Sequence, residues 1–230
     1  MKCLLSVSLA TLAVAANFAL TGPAQTPELR QGVSVQMAHT THAAAYTAAD
    51  NADAWIVAVT SGGKLYFGTK LVTPDQLAEE MKITPRQRDA KLYVKADARA
   101  TFESVKSALG PARSDGFDDI VLLTSQPGST AVGTIAPPKG VEVAIGIGNG
   151  GEAIPVRLSG PAEGATLTVD GNPSSWPELE TTLRQRVHGQ PQVQVQIDAN
   201  DAVAFGDIVR VIDQARAAGA TVALPIYHSI

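Results

Sequence analysis

One order of secondary-structure elements occurs twice along the 230-residue chain, and this repetition constrains its fold more than any other feature. In the first copy, Trp55–Gly68 predicts two strands around a Ser-Gly-Gly turn. Thr73-Pro74-Asp75-Gln76 follows as a helix start, with Thr73 as N-cap and Gln76 completing a capping box. A strand, an amphipathic helix and a buried strand complete the unit at Lys91–Asp97, Phe102–Leu109 and Asp119–Thr124.

The second copy has the same order of patterns. Ala153–Gly171 predicts a hairpin, and Ser175-Trp176-Pro177-Glu178 predicts another capped helix start. Apolar and polar residues then alternate with period two, which indicates a strand with one buried face. The remaining elements are this strand at Gln192–Asp198, a helical stripe of Phe205, Ile208, Val209 and Ile212, and a last strand at Thr221–Ile226.

Identical residues recur in the two copies at a constant spacing of 103 positions, and five such pairs mark the ends of the elements. They stand at turns, strand ends and helix starts: Gly68/Gly171, Pro74/Pro177, Ala96/Ala199, Phe102/Phe205 and Gly116/Gly219. We therefore predict an α+β fold of two tandem ββαβαβ domains, residues 53–125 and 141–230, with a Pro/Gly/Ser/Thr-rich linker at 126–140 between them. Gly110-Pro111 predicts an interruption of the second helix in copy one. Asp213-Gln214 occupies this place in copy two and predicts a straighter, longer helix there.

The N-terminal residues predict export from the cytoplasm. Met1-Lys2 carries a positive charge, and Cys3–Leu20 contains no charged residue. We predict that residues 1–22 form a signal peptide or a membrane anchor, and either one places the rest of the chain outside the cytoplasm. Residues 23–52 are rich in Ala, Thr, Pro and Gln, which predicts a poorly ordered linker.

Charge and cysteine content exclude several classes of function. The net charge is −4 with scattered Lys and Arg, so no basic surface for nucleic acid is expected. Cys3 is the one cysteine, which excludes an intramolecular disulfide and a cysteine-based metal site. The core alone must therefore hold each domain together, which domains of about 100 residues can achieve.

The second half of each copy resembles a known family. "LYVKADARATFESVKSAL…DGFDDIVLLT" and "VQVQIDANDAVAFGDIVRVIDQARAAGATVALP" each contain a strand, a turn, a helix and a glycine before the last strand. This arrangement is similar to the periplasmic domain of the ExbD/TolR biopolymer-transport family, in which an Ala-Asp pair ends the first of these strands. The aspartate is present as Asp97 in copy one and is replaced by Asn200 in copy two.

The resemblance implies a role in protein–protein contact. ExbD/TolR proteins act with a multi-span partner as proton-driven stators, and their membrane helix carries an essential acidic residue. Cys3–Leu20 contains no Asp or Glu, so the resemblance implies the domain and its contacts but not the proton-carrying step. The implied partners are ExbB/TolQ-type or TonB/TolA-type envelope proteins. Family domains also pair with themselves, which implies self-association or an intramolecular pseudo-dimer of the two copies.

The search for chemical motifs predicts no catalytic, cofactor-binding or metal-binding residue, and no cofactor. His39 and His42 are spaced for one helical face, but they lie in the Ala/Thr-rich linker without a third ligand nearby. Gly146–Gly151 (GIGNGG) leads into a strand instead of a helix, which predicts a turn and not a dinucleotide site. Asp97 is predicted to serve as a turn or N-cap residue before the following helix.

We therefore predict a non-enzymatic envelope protein of ExbD/TolR type, an accessory of proton-motive-force-coupled biopolymer transport. It is expected in the periplasm, or anchored in the inner membrane and facing the periplasm. Two alternatives remain open at this point: a periplasmic small-ligand-binding protein or enzyme, and a peptidoglycan-binding module. A convergent set of polar groups in a cleft between the copies would favour the ligand-binding alternative.

Overall fold

The strands lie side by side in one mixed sheet, and the α-helices pack on one of its faces. The computed structural model describes residues 33–85, 90–125, 137–146, 152–161, 164–188 and 193–226. The strands are β1 (Ala44–Ala45), β2 (Trp55–Val59), β3 (Leu65–Phe67), β4 (Lys70–Val72), β5 (Leu92–Ala96), β6 (Asp119–Thr124), β7 (Lys139–Ala144), β8 (Ala153–Ser159), β9 (Thr166–Val169), β10 (Asn172–Ser174), β11 (Gln194–Ala199) and β12 (Thr221–Ala223). The α-helices are α1 (Pro74–Ile83), α2 (Phe102–Ser114), α3 (Trp176–Val187) and α4 (Phe205–Ala217). The predicted α+β class is confirmed, while the predicted leader at residues 1–22 lies outside the described residues.

The order of strands repeats in the two halves of the sheet. It is β4-β3-β2-β5-β6 in the first half and β10-β9-β8-β11-β12 in the second. In each half the first three strands are antiparallel and the last three are parallel. The predicted ββαβαβ order lacks β4 and β10, two strands of three residues each.

β7 joins the two halves into one sheet. It pairs antiparallel with all six residues of β6 and parallel with the end of β12. The predicted linker at 126–140 is therefore wrong for Lys139 and Gly140, which begin this strand, and residues 126–136 lie outside the described residues. Val141 and Val143 are buried against the helical layer, so β7 contributes to the core that the two halves share.

The two predicted helix caps have different structures. The Thr73 hydroxyl accepts from the amide of Gln76 at 3.2 Å, and the Gln76 side chain accepts from the amide of Thr73 at 2.9 Å. This confirms the capping box at α1. At α3 the prediction is wrong, because the Ser175 hydroxyl donates to the Glu178 carboxylate at 2.7 Å and makes no cap bond to the backbone.

Pro111 lies inside α2, which continues to Ser114. The predicted interruption is wrong, and α2 and α4 have the same length of 13 residues. Proline removes one backbone donor from the helix. Leu109 and Ala112, on either side of Pro111, are buried against the sheet, and tertiary packing of this kind stabilises most protein helices.

The N-terminal strap (residues 33–54) covers the sheet face opposite the α-helices in the first half. A second apolar cluster forms there from Ala49, Ile56, Tyr93, Val121 and Leu123. The strap also pairs with β7 through β1. The predicted poorly ordered linker at 23–52 is therefore wrong for residues 33–52, while 23–32 lie outside the described residues. Contacts through single bridges and small side chains leave no periodic pattern that sequence reading can detect.

Candidate interaction site between the two halves

Two turns, one from each half of the sheet, pair backbone to backbone where α2 and α4 begin. Thr101 and Ala204 form an antiparallel bridge at the centre of this pairing. Four hydrogen bonds surround the bridge, each with its N–H in one turn and its carbonyl in the other: Phe102 to Val203 (2.9 Å), Phe205 to Ala100 (2.8 Å), Glu103 to Asp201 (3.1 Å) and Gly206 to Ala98 (2.8 Å). We call this pairing of residues 98–103 with 201–206 the turn–turn contact.

The turn–turn contact has internal two-fold symmetry at the level of the backbone. The Phe102 N–H donates to Val203, and the residues 103 positions away, Phe205 and Ala100, form the same bond with the halves exchanged. The other two bonds are related in the same way. Thr101 and Ala204 are also 103 positions apart, so the pseudo-two-fold axis passes between them. Exchange of equivalent partners is the mark of an isologous contact between two copies of one unit.

The side chains of the turn–turn contact depart from this symmetry. A Cβ atom at Gly206 would lie 3.1 Å from the Ala98 carbonyl oxygen and 3.3 Å from the Ala98 Cβ, so a side chain here would crowd the opposite turn. Glu103 occupies the counterpart position in the first half. Lys106 forms an ion pair with Asp201 across the contact. The two halves therefore share a backbone arrangement at this contact but differ in the side chains around it.

Asp97 lies directly before the first turn and fastens the N-terminal strap to it. Asp97 is 3% exposed, and its carboxylate accepts hydrogen bonds from the backbone amides of Gln36 at 3.1 Å and Arg99 at 3.0 Å. The Arg99 guanidinium donates two further bonds, at 2.9 and 3.0 Å. These bonds, led by that of the guanidinium, lower the pKa of Asp97 to about 2, although burial alone would raise it.

The role of Asp97 is thus that of a turn residue. Its carbonyl accepts from the Ala100 amide at 3.0 Å, whereas the N-cap of α2 is Thr101. Asn200 makes the corresponding bond to the Val203 amide at 3.0 Å. Asn200 is exposed, while Asp97 is covered by the strap. The predicted turn function is confirmed, and the ion pair between buried Asp97 and exposed Arg99 is a feature of the first half.

The two histidines of the strap contact different groups. His39 Nδ1 lies 3.0 Å from the Ser125 hydroxyl, and His42 Nδ1 lies 3.4 Å from the Asp213 carboxylate. Within the part of the chain that the structure describes, no cluster of His, Cys, Asp or Glu could hold a metal ion. The glycine-rich motif lies mostly outside the described residues, and the chain after it forms β8, a strand as predicted.

Two shallow surface grooves lie at the outer edges of the sheet. One is formed by β9, β10 and α3, and includes Pro173 and Arg186. The other lies beside β3, β4 and the start of α1, and includes Leu71 and Val72. The described residues of the two halves come within hydrogen-bonding distance at the turn–turn contact. This close approach gives no support to the alternative of a ligand cleft at that place.

A comparison with family models gives a match to the biopolymer transport protein ExbD/TolR family over residues 129–227. Residues 129–227 are therefore similar to the ExbD/TolR family. The ExbD/TolR region begins before β7 and ends after β12, so β7 belongs to it together with α3 and α4. No curated protein matches the sequence. ExbD/TolR proteins are accessory proteins of biopolymer transport, and their partners are envelope proteins such as ExbB and TolQ.

The extent of the ExbD/TolR region also bears on the strap. Residues 36–41 lie 103 positions before β7 and are thus its counterpart in sequence. Their backbone pairs with Ser125, just after β6: the Ser125 amide donates to Ala38, and the Thr40 amide donates to Ser125, both at 2.9 Å. β7 also pairs in parallel with the end of β12, but in a different register: Ala144 lies opposite Ala223, whereas the positions equivalent to the His39–Ser125 bridge are 142 and 228. Sequence reading missed this relation, although the 103-residue spacing could have revealed it. Among the described residues, no helix has both the length and the apolar composition to cross a bilayer.

Proposed function

We propose that this protein is a non-enzymatic accessory of biopolymer transport driven by the proton-motive force. In this proposal it acts on the periplasmic side of the envelope, through contacts with ExbB/TolQ-type or TonB/TolA-type proteins. The ExbD/TolR match at residues 129–227 is the observation that carries the proposal. Asp97 is the buried carboxylate that a catalytic interpretation would choose first. Both of its oxygens already accept hydrogen bonds from Gln36 and Arg99, which favours a role in contact over one in catalysis.

The second part of the proposal is that the chain contains two ExbD/TolR-type units arranged as an intramolecular pseudo-dimer. The repeated strand order and the two-fold exchange of bonds in the turn–turn contact support this arrangement. A covalent connection gives the second unit an effective concentration in the millimolar range, so even a weak contact between units stays occupied. The pseudo-dimer then presents its partners with a fixed pair of units.

Proton transfer itself is assigned to another protein of the complex in this proposal. A carboxylate is the usual group for moving a proton within a bilayer, and Cys3–Leu20 contains none. The chain would therefore receive or transmit force through its domain without carrying the proton. This division of roles explains how a protein of this family can act without the acidic residue of its relatives.

A disulfide across the turn–turn contact tests the pseudo-dimer in the full-length chain. Thr101 and Ala204 form a pair without mutual hydrogen bonds, for which Cα atoms lie about 4.5 Å apart, within the range that a disulfide accepts. We expect the Thr101→Cys/Ala204→Cys variant, with Cys3→Ser, to oxidise to a faster-migrating monomer in native envelopes. Thr69→Cys/Thr168→Cys, with one cysteine in each half, is the control. Disulfide-linked dimers in place of the internal bridge would refute the intramolecular arrangement.

Photo-crosslinking in native envelopes tests the proposed partners. A photoreactive residue would replace exposed Gln185 on the helical layer or the half-buried Thr168 on the sheet. We expect at least one of the two faces to capture an ExbB/TolQ-type or TonB/TolA-type protein, identified by mass spectrometry. Envelopes that contain such proteins but give no crosslink to them from either face would show that the proposed function is wrong.

A further inference from the structure

The two outer edges of the sheet differ in their ability to accept another strand. This difference follows from the direction of the backbone bonds in β3. The Thr60 amide donates to Lys64 at 3.0 Å, and the Gly68 amide donates to Ile56 at 2.8 Å. Even-numbered residues of this strand therefore bond towards β2, and its odd-numbered residues bond towards β4.

At the first edge, β4 is the last strand of the sheet among the described residues, and Leu71 lies at its centre. Its neighbours Lys70 and Val72 pair with Phe67 and Leu65, the odd-numbered residues of β3. The N–H and C=O of Leu71, midway between these pairs, point away from the sheet. An extended segment lying alongside β4 would find one donor and one acceptor at this residue.

Pro173 occupies the corresponding place at the second edge. The Asp170 amide donates to Pro155 at 2.9 Å, so even-numbered residues bond towards β8 and odd-numbered ones towards β10. Val169 pairs with Asn172 on this pattern, and Pro173 is the residue that faces outward. Proline has no N–H, which is a common way to protect an edge strand from pairing. The second edge is blocked where the first is open.

The surroundings of Leu71 favour an apolar partner residue. The residue is 56% exposed, and its side chain stands on the opposite sheet face from that of Val72, which is buried in the core. Lys70, the charged residue next to Leu71 in the strand, forms an ion pair with Glu80 of α1. Its charge is therefore directed towards the helix and not along the strand edge. A groove continues beside the edge, lined by residues that include Leu65, Leu71, Val72, Pro74 and Ser104.

We propose that β4 is a docking edge for an extended strand of a partner protein, which hydrogen-bonds to Leu71 and places an apolar side chain against it. The inference rests on the proposed function, because it names the kind of segment through which an envelope partner binds. A second copy fits less well: two three-residue edges bury far less than the roughly 1,200 Å² of a stable protein interface. A partner segment that continues into the groove gains contacts that two short edges cannot provide.

Titration of the full-length, isotope-labelled chain with a defined peptide tests this proposal. The probe is an acetylated peptide of about ten residues with alternating Val and Thr between terminal Lys residues, a composition that favours an extended strand. We expect saturable NMR shifts centred on the Leu71 amide. The same peptide with a central proline is the control for the probe and should bind about two- to tenfold more weakly, since it loses one edge hydrogen bond.

Two matched variants test the role of the edges. Leu71→Pro copies the blocked edge and should abolish binding, while Pro173→Leu copies the open edge and should raise the stoichiometry from one peptide to two. Urea unfolding curves that overlay the wild type show that each variant folds. If Leu71→Pro does not fold, Leu71→Lys retains the N–H and should weaken binding through loss of the apolar contact alone.

Two results of the titration would overturn the docking edge: peptide binding by the Leu71 variants as tight as that of the wild type, or NMR shifts centred away from Leu71. Concentration-dependent self-association of the chain through β4 without peptide would also overturn it, because the edge would then belong to a second copy. The outcome is separate from that of the proposed function. Peptide binding at Leu71 without capture of a transport protein would leave the edge standing and refute the function. Capture of a transport protein without peptide binding at Leu71 would support the proposed function and refute the docking edge.

Discussion

Asp97→Asn should lower the free energy of unfolding at pH 7 by about 1–2 kcal/mol, because it removes the charge that holds the strap and Arg99. The pKa of Asp97 is about 2 in place of 3.8. A shift of roughly two pKa units corresponds to about 2.5 kcal/mol at about 1.4 kcal/mol per unit. The Arg99 side chain is 66% exposed, and water screens its charge, so the expected effect is smaller than this conversion.

The pH dependence follows from the direction of the shift. Because the pKa of Asp97 is lower in the folded state than in the unfolded state, its contribution is complete above the unfolded pKa of 3.8. It is lost as the pH falls through the folded pKa, about 2. The difference in unfolding free energy between wild type and Asp97→Asn should therefore be constant from pH 7 to 5 and shrink between pH 4 and 2.

Urea unfolding at a series of pH values measures this difference, with fluorescence of buried Trp55 as the probe. Asn200→Asp is the matched control, because it places a carboxylate at the exposed counterpart and should add no comparable stability. A difference below about 0.5 kcal/mol at pH 7, the range of ordinary surface substitutions, would refute the anchoring role. A difference that stays constant down to pH 2 would refute the electrostatic explanation.

Three further predictions concern the core, the turn–turn contact and the leader. Phe205→Ala and Ile208→Ala should each lower the unfolding free energy by about 2–5 kcal/mol, since both side chains are buried in α4; urea unfolding with losses under about 0.5 kcal/mol for both would place this helix face outside the core. Gly206→Val should cost about 1–3 kcal/mol in the same assay because its Cβ crowds the opposite turn, whereas Glu103→Val, its counterpart, should change stability by less than about 0.5 kcal/mol; equal effects would contradict the close approach. The full-length chain alone should fail to restore growth of an ExbD- or TolR-deficient strain under selective conditions, because Cys3–Leu20 lacks an acidic residue; successful complementation would contradict this division of roles.

The 103-residue spacing predicted more of the structure than any single motif. Gly68 and Gly171 both adopt positive φ angles, 60° and 77°, as do Gly116 and Gly219, at 88° and 86°. These pairs stand at equivalent turns, where a left-handed backbone favours glycine. Phe102 and Phe205 begin α2 and α4, respectively. Because glycines recur at equivalent turns and Phe at equivalent helix starts, the repeated order of elements could be predicted from the sequence.

The contacts of the candidate site could be predicted only in part. The Asp97 turn followed from its place between a strand and a helix, but its cover by Gln36 did not. Sixty-one residues separate these two partners, and no local pattern records such a contact. The Gly206 approach to Ala98 was also missed, because a glycine within an apparent helix start gives no sign of what lies opposite.

The sequence by itself determined the features that depend on neighbouring residues. The Thr73 cap, the alternating strand that became β11 and the apolar stripe of α4 each arise from interactions within a few positions. Hydrogen bonds between residues three apart, and side-chain periods of 2 and 3.6, are legible in the order of amino acids. The α+β class followed from these signals alone.

Tertiary structure decided where distant segments meet. β7 joins the halves because it pairs with the strand edge that β6 would otherwise leave free. The N-terminal strap covers a face of the sheet because this buries apolar side chains. Packing also kept α2 continuous through Pro111 against its local preference. Burial free energy depends on the partner surface and not on position in the sequence, so these arrangements became visible only in the folded chain.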